Sequence, residues 1–245
     1  MESDVISQLR RTIMEMGPER RKYTAKAFSL LPKLVAPKIL DIGCGTGGPT
    51  LELARLSQGL IVAVDIHQPS IDTLIRKART EGFSNRVEAI NCSMFDMRFP
   101  DESFDVIWSE GSIHAIGLER GLKEWKRFLK LEGFLAVHDM VWLQPDPPQE
   151  IREYWRALYP GIKTIRENLM RISHLGYTLI GSFQLPGRVW WNEYYGPLEK
   201  RLKKLRIVHS DSPKVQALLE SEEREITLYR LYHEWYGSAF FIMQK

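Results

Sequence analysis

Hydrophobic positions along this chain follow two spacings, which change over near residue 38. Val5, Ile6, Leu9, Ile13 and Met16 recur at helical spacing, Gly17-Pro18 breaks the run, and a basic second helix follows around Tyr23 to Leu31. Beyond Pro32 and Pro37 come short runs rich in β-branched residues at 38–43, 60–65, 86–91, 104–109 and 133–142. Helical patterns at 50–56, 70–80 and 118–129 separate them. Strands and helices alternating at this pace predict a largely parallel sheet with helices on both faces. After a Pro-rich turn at 144–148, the pattern predicts helices to about Tyr159 and over 165–174, then a sixth strand at 177–185 and a seventh at 238–243. The stretch 188–236 between those last strands is long for a connection, and it is aromatic and helical.

The expected organisation is therefore a single domain over 1–245. It comprises an N-terminal helical lid (1–35), a core (36–143), helices with the sixth strand (144–187), a helical aromatic insertion (188–236) and the seventh strand (237–245). With 245 residues, 44% hydrophobic and 27% charged, the chain can bury a sizeable core, which excludes disorder and disulfide-stapled miniatures. No apolar run reaches the roughly 18 residues of a membrane span, and the acidic start Met-Glu-Ser-Asp has no apolar stretch behind it. Cys44 and Cys92 are too few for a disulfide framework and lack zinc spacing, so the expectation is a cytoplasmic protein without a metal. A net charge of +3 does not call for nucleic acid, and nothing calls for a membrane. The Trp and Tyr residues, by contrast, crowd after position 140.

The chemistry concentrates in Asp41-Ile-Gly43-Cys-Gly45-Thr-Gly47-Gly48, where the first strand enters the first helix of the core. Glycines there let the backbone turn sharply and approach a ligand, and the helix N-terminus offers free N–H groups. A nucleotide-like cofactor follows. Gly43, Gly45 and Gly48 also satisfy the dinucleotide pattern GxGxxG, which is weak alone. Asp41 would repel a pyrophosphate but suits a cofactor carrying an ammonium group. Asp65, ending the second strand, can accept both hydrogen bonds of a ribose diol in either reading.

Residues 38–54 with Val64-Asp65 resemble motif I and its acidic partner in the class I S-adenosylmethionine-dependent methyltransferases. The resemblance runs from about 36 to 140, and 238–243 is similar to the antiparallel seventh strand of that fold. It implies an α/β, Rossmann-like, seven-stranded mostly parallel sheet with a helical insertion between strands six and seven. It implies S-adenosylmethionine as cofactor and S-adenosylhomocysteine as product. Carried over, cofactor contacts fall on Asp41, Gly43, Gly45, Gly47, Asp65 and Ile66. Residues 91–108 resemble the family's "GDAxxLPFPDxSFDxV" stretch, with Ser93 where an Asp usually accepts from the adenine amino group. Ser93 Oγ and the Met94 backbone are expected to serve instead, and Asp96 reads as a solvated loop carboxylate. The segment from Trp108 to Gly121 looks closest to bacterial and archaeal small-molecule members.

For the acceptor, His114 after the fourth strand is the first candidate, since an imidazole titrates near neutral pH. A half-buried histidine bonded to backbone is its bland counterpart. Ser109 and Glu110 border the methionine end of the cofactor, unless Glu110 only caps the next helix. One of His138 and Asp139 should face the pocket, because strand side chains alternate. Tyr23, His138, Trp190, Trp191, Tyr194 and Tyr195 are the expected substrate wall, whereas Tyr229 to Tyr236 read as the insertion's own core. Place-holders for other acceptors are missing: Ser109-Glu-Gly-Ser112 stands where amino-methylating DNA enzymes have [DNS]PP[YFW], and neither arsenite nor C5-cytosine chemistry has its cysteines. The basic run 200–206 and the stretch from Glu220 to Glu225 each read as a solvated helix face. The expected function is methyl transfer to a small-molecule acceptor by in-line displacement. Alternatives are a methyltransferase acting on RNA or protein, an NAD-linked oxidoreductase, and a non-catalytic cofactor-binding module. The general base, the atom methylated and the oligomeric state stay open.

Overall fold

A computed structural model of the chain describes residues 17–245. The helix expected from Val5 to Met16 lies outside the described residues. The runs of β-branched residues form β1 (Lys38–Ile42), β2 (Leu60–Asp65), β3 (Val87–Asn91), β4 (Phe104–Glu110) and β5 (Leu129–Trp142). A two-residue β6 (Lys163–Thr164), β7 (Thr178–Gln184) and β8 (Tyr236–Gln244) complete the sheet. The strand order is β3-β2-β1-β4-β5-β8-β7, with β6 pairing on β5. β8 runs antiparallel to both β5 and β7, and the other pairings are parallel.

The helices that cover this sheet are α1 (Pro18–Ser29), α2 (Gly48–Leu56), α3 (Gln68–Thr80), α4 (Leu118–Trp125), α5 (Gln149–Leu158) and α6 (Ile165–His174). Between β7 and β8 come α7 (Gly187–Trp190), a π-helical turn (Trp191–Tyr195), α8 (Gly196–Val208) and α9 (Pro213–Tyr232). Proline in the first turn starts α1, α2, α3, α8 and α9, where a missing N–H costs nothing. α6 starts with a capping box, in which Thr164 Oγ1 accepts from the Glu167 N–H and Glu167 Oε2 accepts from the Thr164 N–H.

Helices on both faces explain why β1, β2 and β8 are buried along almost their whole length. On one face Leu40, Val62, Ile107, Val137 and Phe241 pack with Trp125 and Ile172. On the other, Ile39, Ile61, Trp108, Ala136 and Phe240 pack with Ala27 of α1 and Leu53 of α2. The 188–236 segment builds a separate cluster in which Leu198, Leu202, Leu219 and Ile226 meet Trp155, Tyr229 and Tyr236. No helix among the described residues is long and apolar enough to cross a membrane.

Two boundaries differ from the sequence reading. The helix expected over 118–129 ends at Trp125, and a 3-10 turn (Lys126–Phe128) feeds β5, which starts at Leu129 rather than 133. A register shift between Phe104 and Val106 lets Leu129 pair before the turn around Glu132. β6, the strand beyond the seven expected, is too short for any pattern to mark.

From β1 the chain winds outward to β3 and returns to β4 on β1's other side. That reversal opens a crevice beyond the carboxyl ends of β1 and β4, where ligands of such sheets bind.

Candidate active site

A cavity of about 610 Å³ fills this crevice, within the range of small-molecule sites. At one end lies the glycine turn. Gly43 N–H and Cys44 N–H both donate to the Val64 carbonyl at 2.8 and 3.0 Å, drawing the turn against β2. Gly43 has φ +75°, and a Cβ there would stand 2.3 Å from Ser112, so only glycine fits. A Cβ on Gly45 would meet nothing within 4 Å, so its backbone lies bare to the cavity. Gly47 faces Leu74 of α3, off the wall.

Asp65 sits at the lip, its Oδ2 accepting from Gly45 N–H and its Oδ1 from His67 N–H, both at 2.8 Å. Each oxygen keeps a lone pair for a ligand. Ile66 and Phe95, 74% and 50% exposed, offer large apolar surfaces on the same wall, with Ser93 and Met94 between. Ser93 Oγ accepts from Phe95 N–H at 3.3 Å. Asp96 pairs with Arg98 at 3.1 Å in solvent, away from the cavity.

The structure does not bring Asp41 to the wall. At 1% exposure its carboxylate turns into the protein and accepts from Thr50 Oγ1 of α2 at 2.6 Å. Burial pushes its pKa up to about 7, against the Thr50 bond that holds it down. The cause is strand alternation, since Asp41 shares its face with Ile39, the face that α2 covers. Ser109 is likewise fully buried and off the wall, bonded to Ser112, whose Oγ donates to the Ile42 carbonyl at 2.6 Å. This pair pins the loop after β4 to β1.

Glu110 does line the cavity. It accepts from Thr24 Oγ1 of α1 at 2.9 Å and from Trp108 Nε1 at 3.3 Å, and burial raises its pKa. It caps no helix, since α4 begins at Leu118 without a side-chain cap. α1 is fastened a second time at its N-terminus, where Glu193 of the π-helical turn accepts from Glu19 N–H and Arg20 N–H at 2.6 and 2.9 Å.

The far end of the cavity belongs to β5 and the 188–236 helices. His114 stands on a 3-10 turn (Ile113–Ala115) with its ring edge-on to Tyr159, and burial lowers its pKa. His138 and Asp139 both reach the wall, where one was expected. Asp139 accepts from Tyr159 OH at 2.7 Å and Met140 N–H at 2.9 Å; burial drives its pKa up to about 6. His138, 3% exposed, lies over Phe240 with ring centroids 4.7 Å apart, and neither ring nitrogen has a hydrogen-bond partner among the described residues. Burial, then the charges of Arg20 and His114, drive its pKa down to about 3, so the ring is neutral.

Of the expected substrate wall, Trp190, Tyr194 and Tyr195 line the cavity. Trp191 points away and lies under Arg230, and Tyr23 packs on Phe183 instead. Tyr229 and Tyr236 are in the insertion's core. Sequence reasoning missed Arg20, Ser112, Trp155, Tyr159 and Glu225, all on the wall. Glu225 was read as part of a solvated face, yet it accepts from Tyr195 OH at 3.2 Å and Tyr154 OH at 3.3 Å.

A methyltransferase-domain family model matches residues 39–133, the span from β1 into β5 that holds the glycine turn and Asp65. Sterol 24-C-methyltransferase erg6 of Aspergillus fumigatus is 30% identical over 186 residues, covering 72% of this chain and 48% of that protein. The chain carries a class I S-adenosylmethionine-dependent methyltransferase domain. That decides between the two readings of the glycine pattern, because the methyl donor of this family is S-adenosylmethionine. Methyltransferase GfsG of Streptomyces halstedii is also similar, 29% identical over 121 residues, covering 49% of this chain and 44% of that one. The chain spans about half the length of the curated relatives it matches first. Among solved structures, a SAM-dependent methyltransferase from Geobacter sulfurreducens in complex with S-adenosylhomocysteine superposes with a TM-score of 0.75 at 18% identity, covering 93% of this chain and 91% of that one. The [4+2]-cyclase SpnF superposes with a TM-score of 0.74 at 21% identity, covering 92% and 81%. The methyltransferase fold is thus shared with a protein named for different chemistry.

Proposed function

We propose that this chain transfers a methyl group from S-adenosylmethionine to a small-molecule acceptor held in the aromatic end of its cavity. The observation that carries the reading is the cavity itself, one space running from the glycine turn and Asp65 to Trp190, Tyr194 and Tyr195. Its donor end fits the cofactor: bare backbone at Gly45, a carboxylate with two free lone pairs at Asp65, and apolar faces at Ile66 and Phe95 for a flat base. Ser93 and Met94 border that base. With Asp41 turned away, Glu110 is the carboxylate available to an ammonium group. Bound there, S-adenosylmethionine supplies a methyl carbon activated by its sulfonium. The chain's own part is alignment and water exclusion, and α1, fastened through Glu110 and Glu193, closes the site. His138 is too weak a base to take a proton, whereas Asp139 is ionised at neutral pH and open to the cavity.

Asp65→Ala should weaken S-adenosylhomocysteine binding by at least tenfold in calorimetry, with a stability loss of only about 1 kcal/mol from the Gly45 and His67 N–H groups it leaves unbonded; unchanged affinity refutes the assignment. Incubation with labelled-methyl S-adenosylmethionine and a cell metabolite extract, read by mass spectrometry, should yield a labelled small molecule. Label only on protein or RNA would refute the acceptor class.

A further inference from the structure

The acceptor end of the cavity has a definite chemical character. Trp155, Trp190, Tyr194 and Tyr195 supply ring surface. Two carboxyl groups, Asp139 and Glu225, share the wall with them. Among the described residues Arg20 is the one Arg or Lys lining the cavity, and its charge acts on both Glu110 and His138. Glu225 accepts from the Tyr154 and Tyr195 hydroxyls, with Tyr194 also bonded to it, and has no ion pair among the described residues, while Glu222 adds further negative charge nearby. His138 presents a buried, neutral imidazole with no partner on either nitrogen among the described residues. A side cleft of about 20 Å³ lined by Arg20, His138, Trp190 and Tyr194, with Leu185 and Val189, sets that ring against the same aromatic wall.

We propose that this chamber takes an apolar amine as the methyl acceptor, an inference that rests on the methyltransferase reading. Carboxylate or phosphate acceptors would find one Arg or Lys, Arg20, among the described residues of the wall, against the carboxyl groups of Glu110, Asp139 and Glu225. A hydrocarbon would leave His138 unpartnered and Glu225 without a counter-charge in a buried place. An amine answers both needs: its N–H donates to the imidazole, its positive charge faces Glu225, and the ring faces of Trp155, Trp190 and Tyr195 attract it as well. The entering ammonium gives one proton to the Asp139 carboxylate. The freed lone pair on nitrogen forms the N–C bond as the C–S bond breaks, and that bond's electron pair stays on sulfur. The positive charge thereby passes from sulfur to nitrogen, where Glu225 again balances it. The chamber suits acceptor and product alike.

The test uses the protein saturated with S-adenosylhomocysteine, titrated calorimetrically with octylamine, 2-phenylethylamine and tryptamine, and with octanol, 2-phenylethanol and tryptophol as their neutral counterparts. At least one amine should bind tenfold or more tighter than its alcohol. Glu225→Gln should abolish that preference, leaving the alcohol and S-adenosylhomocysteine affinities within about twofold, the latter also showing that the variant is folded. Alcohols binding as tightly as amines in the unaltered protein, no binding by any of the three amines, or a preference that survives Glu225→Gln would overturn the proposal. Failure to bind S-adenosylhomocysteine at all would instead remove the methyltransferase reading on which it rests.

Discussion

Replacing Asp41 by asparagine should stabilise the ligand-free protein, and by an amount that grows with pH. The carboxyl is 1% exposed, and its one side-chain partner is the Thr50 hydroxyl. Asparagine keeps the shape and an acceptor for that hydroxyl but never ionises. In the unfolded chain the carboxyl titrates at its model value of 3.8, and in the folded chain at about 7. Between those values the folded state holds a proton the unfolded state has lost, so the stability from the neutral carboxyl is complete below 3.8 and drains away as pH rises through 7. At about 1.4 kcal/mol per pKa unit, burying this titratable carboxyl costs roughly 2 kcal/mol at pH 5, where the folded state must hold a proton, and roughly 4 kcal/mol at pH 8, where it must hold the charge. Asp139 and His138 shape the pH profile of both proteins alike, so the difference between variant and parent reports Asp41 together with its lesser coupling to Glu110 and Asp65. Urea unfolding followed by tryptophan fluorescence at the two pH values measures it. The Asp41→Asn gain should be larger at pH 8 by about 2 kcal/mol. A gain independent of pH, or a variant less stable at pH 8, would refute the reasoning.

Other consequences are as direct. Glu193→Ala leaves the Glu19 and Arg20 N–H groups uncapped, which should cost about 1 kcal/mol and speed amide hydrogen exchange over residues 18–22. Gly43→Ala forces a Cβ to within 2.3 Å of Ser112 at φ +75°, and urea melts should show a loss of about 2 kcal/mol or more. Tyr159→Phe removes the hydroxyl that stabilises the Asp139 carboxylate, so that carboxyl should titrate above its present value of about 6 in a carbon-13 NMR titration. A lower value would contradict the bond.

The five central strands were legible because burial on both faces demands unbroken runs such as Leu60-Ile-Val-Ala-Val-Asp65. The glycine turn was legible for a related reason, since few other places need several glycines between a strand and a helix. Asp41 shows a signal present but unused: counting alternation from Ile39 puts its side chain toward α2 and Thr50 rather than over the strand's end. Glu225 shows the opposite case. Within Glu220 to Glu225 nothing local separates it from its solvated neighbours, and what makes it a wall residue is the packing of α9 against Tyr154 and Tyr195, which are distant in the chain. Trp191 and Tyr194 could not be sorted by helical spacing, because the helix carrying them departs from it.

That departure is the π-helical turn, where Gly196 N–H donates to the Trp191 carbonyl five residues back. A Cβ on Gly196 would lie 2.8 Å from that carbonyl, so glycine permits the wider turn. Such a turn is one residue more than a regular helix would spend, and each residue of a regular helix is worth about 100° of rotation. Removing any single residue from this stretch would restore an ordinary helix and turn the side chains on one side of the cut relative to those on the other. Trp190, Tyr194 and Tyr195 could then no longer share the wall. What the pocket presents here is therefore a matter of arithmetic as much as of chemistry: in this part of the chain, a change in length would redraw the acceptor chamber more thoroughly than most changes of identity.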